Sequence, residues 1–166
     1  MNEKIPAIAY IEAQILHRAS AQGLLTPAVR SVEKEYGLRP GSLGSGIFLE
    51  TRILSLLYSL IVIPKEFWSL DQNHPIYSQI ETLWSPKKEN IIVDQSHWEN
   101  PTYKFIHHLR NSLAHANFEF NSGHFVFWDQ YKEKPETYRA TLSIQSIQHF
   151  LEVVGSLLAN LKNNGA

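Results

Sequence analysis

Apolar residues recur along this chain at two different periods. Ile8, Ile11, Ile15 and Ala19 fall at helical spacing between Ile5 and Gln22, with Pro6 suited to a first turn and Gly23 to a stop. Thr26-Pro27 reads as an N-cap and first helical proline, opening a helix to about Tyr36 that Gly37 ends. "LRPGSLGSG" is a glycine-rich connector, either a plain link or a mobile lid. The most apolar helix follows, Ile47 to Ile63, which Pro64 ends or kinks; Glu50 and Arg52 lie near its start. Glu50 reads as a solvated first-turn acid, with a place beside an active site as the alternative. A short helix spans Pro75 to Trp84, and Ser85 to Asn100 is polar and mixed, hence a loop. Another helix runs from Trp98 or Asn100 to Ala116.

There the period changes to two. Phe118, Phe120, Phe125 and Phe127 alternate around Asn-Ser-Gly, which predicts a β-hairpin. "YKEKPE" is a charged turn, and Tyr138 to Leu142 can add a third short strand. Ser143 caps a last helix to about Lys162, striped by Ile144, Ile147, Leu151, Val154, Leu158 and Leu161. The pattern predicts an all-α bundle of four to five helices, with one small hairpin inserted before the last.

Composition narrows what such a fold does. With 166 residues, of which 43% are apolar, residues 1–166 form one domain with a real core. A formal charge of −1 provides no global positive field to hold nucleic acid, so any such role rests on a local site. The absence of cysteine excludes disulfides and thiolate metal sites and fits a reducing cytoplasm. The N-terminus has early acidic residues and no signal-like apolar block. The longest apolar run, Ile53 to Ile63, falls short of the roughly 20 residues a bilayer span needs, so no membrane role is expected.

The chemistry concentrates in "HHLRNSLAHANFEF", His107 to Phe120. At about 100° per residue, Phe105, Ile106, Leu109, Leu113 and Ala116 share a core face. Lys104, His107, His108, Asn111 and His115 share the opposite face. Arg110 sits at the border, roughly 140° round from His115. Bringing the two to one phosphate requires arginine reach or a second copy of the helix. Three readings of this face stand side by side. It is a solvated surface; or it binds metal, although Asn111 occupies the place where a His-x-x-x-His zinc pair needs its partner; or it performs acid–base chemistry on RNA.

"RNSLAH", Arg110 to His115, resembles the R-x(4–6)-H signature of the HEPN superfamily, with Asn111 in the polar position after the arginine. "ANFEF" resembles the residues that follow that histidine in some members, and the hairpin resembles a subgroup of plasmid and mobile-element proteins. The resemblance is tight over Phe105 to Phe120 and loose elsewhere. It implies an HEPN-like helical bundle that dimerises around two such motifs. It also implies a metal-independent, cofactor-free endoribonuclease of toxin–antitoxin or defence type, with RNA as substrate and an antitoxin protein as possible partner. In that scheme His115 transfers the proton of the attacking 2′-hydroxyl, Arg110 holds the phosphate and Asn111 supports them. The alternative is a non-catalytic HEPN module that binds nucleotide, RNA or a protein. Lys104 and His108 are the candidate substrate-binding residues, as a local patch of positive charge, although plain surface placement is the simpler reading of His107 and His108. Trp98, Tyr103 and Trp128 serve either core packing or base stacking.

Overall fold

A computed structural model of the chain describes residues 4–44, 49–64, 68, 70–87 and 90–161. Within them lie helices α1 (Lys4–Ala21), α2 (Thr26–Glu35), α3 (Leu49–Leu57), α4 (Pro75–Leu83), α5 (Pro101–Ala114) and α6 (Ile144–Leu161). Strands β1 (Ile91–Asp94), β2 (Phe118–Asn121), β3 (His124–Asp129) and β4 (Tyr138–Ser143) form one antiparallel sheet in the order β1-β4-β3-β2. The fold is therefore mixed helix and sheet, and the all-α expectation is overturned. The hairpin lies where the alternation places it, with Phe118 opposite Phe127 and Phe120 opposite Phe125. Its turn places Ser122 and Gly123 at φ 48° and 78°, the left-handed pair that matches strand twist. The unforeseen strand is β1, inside the stretch read as loop. Four residues show no usable period, and β1 exists because β4, distant in sequence, offers an edge on which Ile91 faces Ala140 and Asp94 faces Tyr138.

The helix boundaries follow local chemistry. His74 caps α4 and Asn100 caps α5, each side chain accepting a backbone N–H of the first turn. Ser143 Oγ does the same for α6, accepting from Ser146 N at 3.1 Å. After Leu57, α3 widens into a π-turn over Tyr58–Val62, closed by Ile63 N donating to Tyr58 O at 2.9 Å. The expected helix start at Ile47 and end at Lys162 lie outside the described residues.

The core is aromatic, and α5 runs through it. Phe105 packs against Trp84 and Phe150 at ring distances of 4.9 and 5.2 Å, and meets Phe127 of β3 edge-on at 5.4 Å. Ile106, Leu109 and Leu113 are buried beside it, and α6 contributes Ile147, Leu151 and Val154 from its expected stripe. On α1 the face that identifies the helix does not identify its buried side. Ile8, Ile11 and Ile15 are 50%, 51% and 60% exposed, whereas Ala7 and Ala13 are buried. The reason is close approach: the Tyr10 ring lies against Gly155 of α6, where a Cβ has no room. Small residues let α1 dock on α6, and the isoleucines are left outside. Among the described residues no helix is long and apolar enough to cross a membrane.

The connector after α2 is folded around one carboxylate. Glu33, 2% exposed, accepts Gly41 N and Leu43 N, each at 2.9 Å, and Arg30 Nη1 at 2.7 Å. The two backbone donors, helped by Arg30, hold its carboxyl down at about 2. Because this value is depressed from 4.5, the stabilisation is complete above pH 4.5 and is lost as the pH falls toward 2. Thermal melts should therefore show an acid-dependent loss over that interval that Glu33→Gln removes. Gly155→Ala should push α1 off α6 and destabilise the fold by about 1–3 kcal/mol in denaturant titrations.

Candidate functional site at the end of α5

The end of α5 is fixed by its backbone before any side chain acts. His115 is the C-cap, Ala116 takes φ 56°, and Asn117 N donates back to Ser112 O at 2.8 Å while Ala116 N donates to Leu113 O at 3.2 Å. This is the Schellman closure with alanine in the place glycine usually fills. Tyr58, on the π-turn, donates its hydroxyl to the same Leu113 O at 2.7 Å, giving that terminal carbonyl a second donor. The helix thus stops at His115, whose side chain is exposed.

One carboxylate ties this helix to the sheet. Asp129, at the end of β3, presents Oδ2 to His108 Nδ1 at 2.7 Å and to Asn111 Nδ2 at 2.9 Å. A carboxylate only accepts, so His108 Nδ1 carries a proton and donates. Burial pushes the Asp129 carboxyl up, but the bonds from His108 and Asn111 outweigh it and hold the group below the ordinary carboxylate range. With Nδ2 committed to Asp129, Asn111 turns Oδ1 toward Arg110 Nη2, a long contact of 3.5 Å.

The sequence-predicted residues divide into two sets. Arg110 is half-buried and makes no ion pair among the described residues, and His115 is free at the surface beside Tyr131, ring centroids 6.0 Å apart. No hydrogen bond joins Arg110 to His115 within the chain. Lys104 is paired with Asp94 at 2.8 Å. His108 is 3% exposed and stacks on Tyr138 at 4.5 Å, so it belongs to the interior and not to the polar face that the helical wheel assigned it. Both intended substrate-binding side chains are thus engaged by carboxylates. His107 lies 4.3 Å from the Trp98 ring, and Tyr103 also packs on Trp98. Burial first, then the charge of Arg110, then His108 lower His107 to about 4, so it is neutral at pH 7. Trp98 and Tyr103 pack here with His107 as a half-buried aromatic cluster. Among the described residues no three His, Asp or Glu side chains gather as metal ligands.

Asp129 and Tyr131 are the residues that sequence reasoning missed. The only signal for Asp129 was its position at the end of an alternating strand, and Tyr131 was one letter of a charged turn.

The chain matches the family model described as HEPN pEK499 p136 over residues 2–164. No curated protein and no solved structure matches it.

An NMR titration of the histidines should find His107 protonating near pH 4 and not near its ordinary 6.5. As the pH falls from 6.5 toward 4, the unfolded chain binds a proton that native His107 refuses, so folding stability declines over that window. His107→Gln should flatten the decline.

Proposed function

Since the chain belongs to the HEPN pEK499 p136 family, we propose that it forms a single HEPN-like domain acting as a dimeric, metal-independent endoribonuclease, with the end of α5 as its working edge. One observation carries the reading: Arg110 has no carboxylate partner among the described residues, and His115 stands exposed at the same helix end. A half-buried guanidinium without an anion is ready to donate to the oxygens of a phosphodiester.

The chemistry follows from the groups present. His115 takes the proton of the ribose 2′-hydroxyl as O2′ bonds to phosphorus, and the bond from phosphorus to O5′ breaks as that oxygen takes a proton from water, whose hydroxide the protonated His115 then neutralises. Arg110 offsets the charge that grows on the non-bridging oxygens. Asn111 steers the guanidinium through Oδ1, and Asp129 holds Asn111. The products are a 2′,3′-cyclic phosphate and a 5′-hydroxyl, and DNA, which lacks the nucleophile, is spared. On an ideal helix Arg110 and His115 diverge by roughly 140°, so two copies related by a two-fold axis complete the site, each guanidinium serving the partner's imidazole. An antitoxin-like protein that covers this edge is the corresponding cellular partner.

Purified protein should cleave RNA in EDTA and leave DNA intact, and it should sediment as a dimer. Arg110→Ala and His115→Ala should each lower the rate by at least about 100-fold while thermal melts stay in place. Chelator-sensitive cleavage overturns the scheme. Wild-type protein that is inert on RNA at high concentration leaves the non-catalytic binding module as the reading.

A further inference from the structure

The loop between β3 and β4 is braced against the end of α5. Asn117, the first residue past the helix closure, donates Nδ2 to Gln130 O at 2.9 Å and accepts Trp128 N at 3.0 Å. Gln130 Nε2 donates to Lys134 O at 3.0 Å, and Lys134 N donates to Tyr131 O at 3.1 Å. The loop is thus pinned from both ends, and it holds an aromatic ring in the open: Tyr131 is 52% exposed. Lys132 Nζ and Lys134 Nζ lie over that ring, 5.2 and 5.7 Å from its centroid, and His115 meets it edge-on at 6.0 Å and 72°. Neither lysine is in an ion pair among the described residues, although Glu133 lies between them in sequence.

We propose that Tyr131, Lys132 and Lys134 form a nucleotide-docking platform, on which one base of a single-stranded polynucleotide stacks on the tyrosine ring and the two ammonium groups take the flanking phosphates. The ligand chemistry is set by the combination. The two ammonium groups ride on flexible stems 5.2 and 5.7 Å off the ring centroid and swing aside to let an unpaired base onto its π-face, whereas duplexed bases have no free face to give. Two cations beside it match the phosphates on either side of the stacked base. The chain carries a net charge of −1, so this patch supplies locally the attraction that the whole molecule lacks. The platform rests on the reading of His115 as facing the sugar–phosphate backbone, and it deepens that reading by stating how the strand is registered: the nucleotide next to the attacked phosphate lies on Tyr131.

Binding of a fluorescent 2′-O-methyl RNA 12-mer, which cannot be cleaved, tests the platform on the full chain. Tyr131→Ala should weaken it roughly tenfold or more, and Tyr131→Phe should not. Lys132→Ala and Lys134→Ala together should weaken binding and reduce the slope of log affinity against log salt by about 0.7 per lysine. The same 12-mer annealed to its complement should bind more weakly than the single strand and be indifferent to Tyr131→Ala. Tyr131 is half-exposed, so the variant should melt with the wild type, which separates lost contact from lost fold. Wild-type protein that does not bind the strand overturns the platform, as does Tyr131→Ala with unchanged affinity. Displacement by a poly-glutamate peptide with no dependence on Tyr131 also overturns it and makes the loop a site for an acidic protein. If binding depends on Tyr131 but ribose-bearing RNA is never cut, the platform stands and the nuclease reading falls. If RNA is cut and Tyr131→Ala changes nothing, the reverse holds.

Discussion

A single carboxylate oxygen governs how α5 is presented. Asp129 Oδ2 receives His108 and Asn111 together, from positions almost one helical turn apart, and so fixes both the rotation of the helix and its distance from β3. Removing either donor leaves the half-buried carboxylate with one bond fewer against the cost of its desolvation. With that rotation set, Leu109 and Leu113 enter the core and Arg110, His107 and His115 are left to the outer side. His108 is interior because the sheet supplies an acid for it to meet.

The sheet therefore does more than cover an apolar face. β3 delivers Asp129 to the helix, and the loop beyond it delivers Tyr131 to the end of the helix. β4 brings Tyr138 under the His108 ring. Tyr58 reaches the same helix end, because the π-turn carries it to Leu113 O. Three separate stretches of chain thus converge on residues 108 to 117. That convergence gives a short surface motif the fixed geometry that acid–base chemistry or strand binding demands.

Several readings from the residues held, and for local reasons. The phenylalanine alternation marked the hairpin of β2 and β3, since period two fixes register once a turn is set. The stripe on α6, the cap at Ser143 and the short helix from Pro75 are short-range effects that need no knowledge of the rest of the chain. Where the pattern misled, a distant partner had the deciding role. β1 formed against β4, and the isoleucine face of α1 stayed exposed because Tyr10 needed the bare backbone of Gly155. Glu33 became buried because the connector's amides wrapped it, and a charged letter in a helix does not foretell such a cage.

For the candidate site, the sequence by itself determined that Arg110, Asn111 and His115 share the end of one amphipathic helix, because 3.6 residues per turn is a property of the backbone alone. It also determined that no thiolate and no global positive field take part. Only the tertiary structure decided which of the polar residues stay available. His108 and Lys104 are engaged by Asp129 and Asp94, and Arg110 and His115 are left without anions among the described residues. The physical reason is that pairing depends on which carboxylates the fold brings within about 3 Å of a donor, and those carboxylates come from strands outside the helix, ten and 21 residues from their partners, whose approach no local periodicity encodes.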